Sequence, residues 1–121
     1  MSRRRVLGKR GEALAAEYLK SKGYRILEIN WRSGHREVDI IAQDNDQIVF
    51  IEVKTRTGIY SGNPVEAVDY QKQRLLIDAA EDYINLNNID LEARFDIVTV
   101  IINGNSHRIN HISEAFYSGL N

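Results

Sequence analysis

The stretch from Glu37 to Thr55 constrains the fold of this chain more than any other. Two apolar runs, Glu37 to Gln43 and Gln47 to Thr55, flank Asp44-Asn45-Asp46, and Asn and Asp tolerate tight-turn geometry. The segment therefore reads as a β-hairpin. If Asn45-Asp46 is the loop, residues whose numbers sum to 91 lie opposite one another. Asp39 then faces Glu52, and Glu37 faces Lys54, with opposite Cβ atoms about 4.5–5.5 Å apart. One loop residue more or fewer, without a bulge, sends Asp39 and Glu52 to opposite faces. Glu52 and Lys54, two apart on one strand, share a face in either case.

Around the hairpin the period changes. Gly11 to Lys22 reads as an amphipathic helix carrying Leu14, Ala15, Tyr18 and Leu19, with Gly23 placed to stop it. Tyr24 to Asn30 alternates as a short strand, and Trp31 to Arg36 reads as a loop. A further loop runs through Gly58, Gly62, Asn63 and Pro64. A second helix follows from Val65 to about Asn85, with Val68, Leu75, Leu76, Ala79, Ala80 and Tyr83 on one side. Phe95 to Ile102 and His107 to Ile112 read as strands joined by Asn103-Gly104-Asn105. The order α-β-β-β-α-β-β predicts one α/β domain over residues 1–121, a mixed five-stranded sheet with flanking helices. Residues 1–7 are expected to form a flexible basic arm.

Composition limits function. The 121 residues are 43% hydrophobic and 27% charged, enough for a single core. With no cysteine, disulfides, thiol catalysis and Cys-ligated zinc are excluded. No apolar run approaches the roughly 18 residues of a membrane span. The basic start lacks the apolar stretch of a signal peptide, so a cytoplasmic protein is expected. The net charge of −1 conceals a polarity. Residues 1–36 hold ten Lys/Arg against three Asp/Glu, a balance of +7, and the remainder holds six against fourteen, a balance of −8. Such a chain suits contact with a polyanion on one side and a carboxylate-rich centre on the other.

Asp39, Glu52 and Lys54 on adjacent strands form a chemical constellation. Two close carboxylates repel, a hard cation relieves the repulsion, and oxygen ligands suit Mg²⁺ or Mn²⁺. Asp39 and Glu52 are the expected metal ligands. Lys54 is expected to orient a water or steady developing negative charge. Without a metal, the same trio is an acid-lysine-acid network on a sheet face. Asp96, on an apolar strand, has two readings: a buried, hydrogen-bonded structural acid, or a neighbour of the site. His35, His107 and His111 are too scattered to suggest zinc. Trp31 and Tyr60 read as packing residues with the capacity to stack on bases.

Asp39 followed by Glu52-Val53-Lys54 resembles the D…(D/E)xK signature of the PD-(D/E)xK nuclease superfamily. Gly8-Lys9-Arg10-Gly11-Glu12-Ala13, Gly23-Tyr24-Arg25-Ile26-Leu27, Asn30-Trp31-Arg32 and Gln71-Lys72-Gln73-Arg74-Leu75 extend the likeness. So do Arg94-Phe95-Asp96-Ile97-Val98 and His111-Ile112-Ser113-Glu114-Ala115-Phe116. On these the chain is identified as a member of the YraN-type bacterial family, similar to archaeal Holliday-junction resolvases. The resemblance implies a restriction-endonuclease-like fold and a metal-dependent endonuclease of DNA, branched forms such as recombination intermediates included. It implies a catalytic role for Glu12 as an auxiliary acid, whose alternative is stabilising a helix amino terminus. It places Gln71 and Lys72 near the scissile phosphate. Arg36 stands where the family has Gly. Nucleic-acid contacts are expected from Arg3, Arg4, Arg5, Lys9, Arg10, Arg36, Arg56 and Lys72, and a homodimer is a further expectation. The alternative function is a nucleic-acid-binding module that keeps the nuclease fold without turnover.

Overall fold

The structure, a computed structural model, describes residues 2–58 and 68–117. Helix α1 spans Arg3–Ser21, and Ser2 caps it, its hydroxyl accepting from the Arg5 amide at 3.1 Å. The helix therefore begins eight residues before the expected Gly11, and residues 3–7 are helical rather than an arm. Ser2 supplies the missing acceptor, and Leu7 extends the buried stripe begun by Leu14, seven residues on. Strands β1 (Arg25–Ser33), β2 (Arg36–Asp44) and β3 (Gln47–Thr57) follow, then α2 (Tyr70–Leu86), β4 (Glu92–Asn103) and β5 (Ser106–Phe116). This is the predicted α-β-β-β-α-β-β order. Trp31, expected in a loop, lies in β1 and packs edge-on against Tyr83, with ring centroids 5.2 Å apart. The start expected for the second helix, residues 65–67, falls outside the described residues, as do Tyr60 and the Ser61-Gly62-Asn63-Pro64 turn. Asp69 caps α2, accepting from the Lys72 amide at 2.8 Å.

The five strands lie in the order β1-β2-β3-β4-β5, all neighbours antiparallel except β3 and β4. A parallel pair requires a crossover, and α2 lies in it. Helix α2 covers one face over Ile41, Phe50, Phe95 and Ile97. Helix α1 covers the other over Ile40, Ile51, Val98 and Val100. Being covered on both faces explains why Ile48 to Val53 is buried without interruption.

Gly11 shows how closely α1 approaches the sheet. A Cβ there would lie 1.9 Å from Thr55 Oγ1 and 2.9 Å from both Thr55 Cβ and Cγ2, so no rotamer of Thr55 clears it. Gly→Ala inside a helix ordinarily gains up to ~1 kcal/mol of propensity. Here overpacking, typically about 1–3 kcal/mol, outweighs that gain. Gly11→Ala is expected to lower the urea midpoint, whereas Gly8→Ala, with no atom within 4 Å of the added Cβ, should raise or preserve it. A stabilised Gly11→Ala protein would refute the close approach.

Candidate active site

The β2–β3 hairpin keeps the two-residue loop the spacing predicted. Asp44 pairs with Gln47 and the ladder runs to Ile40 opposite Ile51, each pair summing to 91. Asn45 takes the turn with φ 56°. Backbone pairing stops one residue short of the expected Asp39–Glu52 pair. Val38 packs on the α2 side and Ile40 on the α1 side, although residues two apart on a regular strand share a face. The parity of β2 changes at Asp39. There the Val53 amide, which a continued ladder would direct at the β2 backbone, donates to Asp39 Oδ2 at 2.8 Å.

Glu52 and Lys54 lie on the α2 side of β3, the side of Ile48 and Phe50. Lys54 Nζ is 3.8 Å from Glu52 Oε1, and Lys72 Nζ, arriving from the first turn of α2, is 3.7 Å from the same oxygen. Glu52 is only 5% exposed. Its other oxygen, Oε2, has no hydrogen-bond donor among the described residues. Burial and then the charge of Glu52 push the Asp39 carboxyl up to about 7, against the Val53 amide and Lys72. Burial likewise raises Glu52, against Lys72 and Lys54. The two acids compete for ionisation, and a proton or a cation between them relieves the competition.

Glu12 belongs to this neighbourhood. Burial and then the charge of Asp39 raise its carboxyl, while Asn30 Nδ2 donates to Oε1 at 3.2 Å and opposes the rise. Asn30 holds φ 55°, a conformation Asn accepts more readily than most residues. Glu12 sits in the third turn of α1 rather than at its amino terminus, so capping the helix is not its role. Glu12, Asn30 and Glu37 line a groove of about 370 Å³ with Arg5, Lys9 and Arg32.

The remaining predicted residues scatter. Arg3 and Arg4 are exposed on the first turn of α1, and Gln71 is exposed on the first turn of α2. Arg10 donates to the Gly104 carbonyl at 3.3 Å. Arg56 donates to its neighbour's carbonyl at 3.0 Å. Arg36 is drawn to α2, 3.2 Å from Asp82 and 3.8 Å from Asp78, and Ser33 also donates to Asp82. The Arg36 side chain thus latches the β1–β2 turn to the helix.

Lys72, expected near the scissile phosphate and on nucleic acid, lies against Glu52, and a second residue of the site has no place in the sequence reading. Thr99 pairs with Lys54 in the parallel ladder and so shares its face; it is 1% exposed and its hydroxyl has no partner among the described residues. Its signal was a lone hydroxyl in the apolar run Ile97-Val98-Thr99-Val100.

Asp96 proves to be the structural acid. Arg94 donates to both its oxygens, at 3.0 and 2.9 Å, His111 Nε2 lies 2.7 Å away, and the Glu114 amide donates at 3.1 Å. A cleft of about 410 Å³ opens beside Arg94, but the five guanidinium N–H groups are already spent on Asp96, Asp44, Gln47 and Tyr24. Shape favours that cleft; unsatisfied chemistry favours the acids at Asp39 and Glu52.

The raised carboxyls make a measurable prediction. A folded-state acid raised above its unfolded value favours the folded state while protonated, so stability falls as pH rises from about 4 towards 7. In metal-free buffer Asp39→Asn should flatten that decline, gaining on the order of 2 kcal/mol at neutral pH. Denaturant midpoints at pH 4.5 and 7.5 decide it; parallel pH profiles for the two proteins would count against the coupled pair.

Residues 11–100, a span holding Glu12, Asp39, Glu52, Lys54 and Lys72, match the family described as Uncharacterised protein family UPF0102. A UPF0102 protein of Bacteroides thetaiotaomicron is 46% identical over 120 residues, covering 99% of this chain and 99% of its own. One of Flavobacterium psychrophilum is 44% identical over 117 residues, with 97% and 98% covered. One of Porphyromonas gingivalis is 42% identical over 111 residues, with 90% and 82% covered. A match of this extent, on a fold in the predicted element order, makes the chain a member of the UPF0102 family.

Proposed function

We propose that this protein is a divalent-metal-dependent endonuclease that hydrolyses DNA phosphodiesters, with branched or recombination intermediates as the substrate class. One observation carries the reading: a coupled carboxylate pair, half-buried Asp39 and buried Glu52, with Glu52 Oε2 unsatisfied among the described residues and an ammonium beside it. The residues fit Mg²⁺ or Mn²⁺, which take one or two carboxylates and keep waters for the remaining positions. Asp39 and Glu52 would hold the ion. When bound, it supplies Lewis-acid stabilisation of negative charge on the phosphoryl oxygens. Lys54, fixed on a buried strand, holds its ammonium where that charge develops. Glu12 stands close enough to Asp39 for the two charges to interact and is the acid available to receive or orient a proton. Arg5 and Lys9 flank the groove beside Glu12 and suit phosphate contacts. The reading places the protein in the cytoplasm; among the described residues no helix is long and apolar enough to cross a membrane. A homodimer would let two such sites treat two strands.

A second reading has its own support. Among the described residues no three acidic or histidine side chains converge as a ready metal cluster, and Glu52 already has two ammonium partners. That arrangement suits a DNA-binding module without turnover. Labelled duplex, single-stranded, flap and four-way-junction DNA, each with Mg²⁺ and with Mn²⁺, separate the two. Cleavage lost in Asp39→Asn supports the enzyme; binding without cleavage on every form supports the module.

A further inference from the structure

We infer that Lys72 is an exchangeable counter-ion, held by Glu52 while no metal is bound and released to a DNA phosphate when a divalent cation takes that carboxylate. The inference rests on the metal-site reading above and adds to it a coupling between metal and DNA. Three observations support it. Lys72 Nζ lies 3.7 Å from Glu52 Oε1, as near as Lys54 at 3.8 Å, so one oxygen has two cationic partners. Lys72 sits in the first turn of α2, where the helix dipole disfavours a cation, and the capping Asp69 carboxylate at that end is engaged by the Lys72 amide at 2.8 Å. The ammonium itself is paired with Glu52. The two lysines also differ in freedom: the Lys54 side chain is 23% exposed on a buried strand, whereas that of Lys72 is 40% exposed at a helix end. Lys72 is the one with solvent to swing into.

Ammonium and metal compete for the same carboxylate, so removing the ammonium should tighten the metal. Lys72→Met keeps the aliphatic stem and removes the charge. Its Mn²⁺ affinity, measured calorimetrically without DNA, is expected to rise about two- to fivefold, the equivalent of one weak ion pair at a partly exposed site. Lys20→Met, which removes the same charge from an exposed position on α1, should leave it unchanged. DNA binding supplies the second readout. In EDTA Lys72→Met should bind a four-way junction as wild type does, because Glu52 occupies the lysine. In Ca²⁺ it should bind more weakly, with a salt slope smaller by about 1, the signature of one lost phosphate contact. Unchanged Mn²⁺ affinity in Lys72→Met, or an equal loss of DNA affinity in EDTA and in Ca²⁺, overturns the counter-ion role while the metal site stands. Wild-type protein that binds no Mn²⁺ overturns the metal site and the exchange together.

Discussion

Glu52→Gln is expected to abolish metal-dependent cleavage while leaving the fold intact or firmer. The substitution keeps size and hydrogen-bonding reach but removes one of two anionic ligands. Mn²⁺ affinity should fall by on the order of 10²-fold, the upper range for loss of a group that tunes a metal site. Stability should rise instead, because Glu52 is 5% exposed, its Oε2 lacks a donor among the described residues, and its charge contributes to raising Asp39. Those opposite signs distinguish a functional acid from a structural one, whose loss lowers stability and activity together. Lys54→Ala separates binding from chemistry. Its metal affinity should hold or increase, while turnover falls about 10²–10³-fold, the usual cost of deleting one group that stabilises transition-state charge. Single-turnover rates with saturating Mn²⁺, set beside calorimetric Mn²⁺ titrations of the same proteins, give both quantities. Glu52→Gln binding Mn²⁺ as wild type does would remove Glu52 from the ligand set, whatever the cleavage assay reads.

How far the sequence disclosed this arrangement depends on the range over which each feature is set. The hairpin register was legible because it is a local count: the loop Asn45-Asp46 dictates that Ile40 meets Ile51, and the ladder obeys. The end of that ladder was not legible. The parity change at Asp39 puts Val38 in the α2-side core that also holds Tyr83 of α2 and receives Trp31 of β1, residues distant in sequence. Helix boundaries erred where caps outweighed hydrophobic spacing: Ser2 starts α1 earlier than Leu14 and its neighbours suggest, and Asp69 sets the start of α2. The contact between Lys72 and Glu52 is not legible because the two stand twenty positions apart, one on α2 and the other on β3. Arg36 stands beside Asp39 in the sequence, but its acid partner Asp82 lies on α2, out of reach of any local count. Charge counting locates cations in a sequence, but their partners belong to the tertiary fold.

Arg94→Met should be strongly destabilising, costing about 3–5 kcal/mol, because it strands the buried Asp96 carboxylate without its guanidinium partner. Arg94 is 7% exposed and Asp96 is fully buried. The guanidinium joins Asp44 at the end of β2, Gln47 at the start of β3, Asp96 on β4 and Tyr24 before β1. Asp96 then continues the network to His111, and to the Glu114 amide, which a β5 irregularity and a φ of 50° at Glu114 present to it. Tyr18 of α1 closes the cluster on His111 Nδ1 at 3.3 Å. Burial alone would raise the Asp96 carboxyl, but His111 and Arg94 outweigh it and hold the group below its ordinary value. The sign of the pH effect follows. A depressed acid contributes stability above its unfolded value of 3.8 and loses it as pH falls through the lower folded value. Acid unfolding of the wild type should therefore report Asp96, at the opposite end of the scale from the decline caused by Asp39. Arg94→Met should unfold at a lower urea concentration with an unchanged slope, and Arg94→Met with Asp96→Leu should recover much of the loss, since the second change removes the stranded charge. Both Asp96 and Tyr18 serve the α1 face, whereas Glu52 and Lys54 occupy the α2 face, so the double variant should keep its Mn²⁺ affinity. An Arg94→Met protein within 1 kcal/mol of wild type would mean that the network is solvated in solution and does not tie the strand ends together.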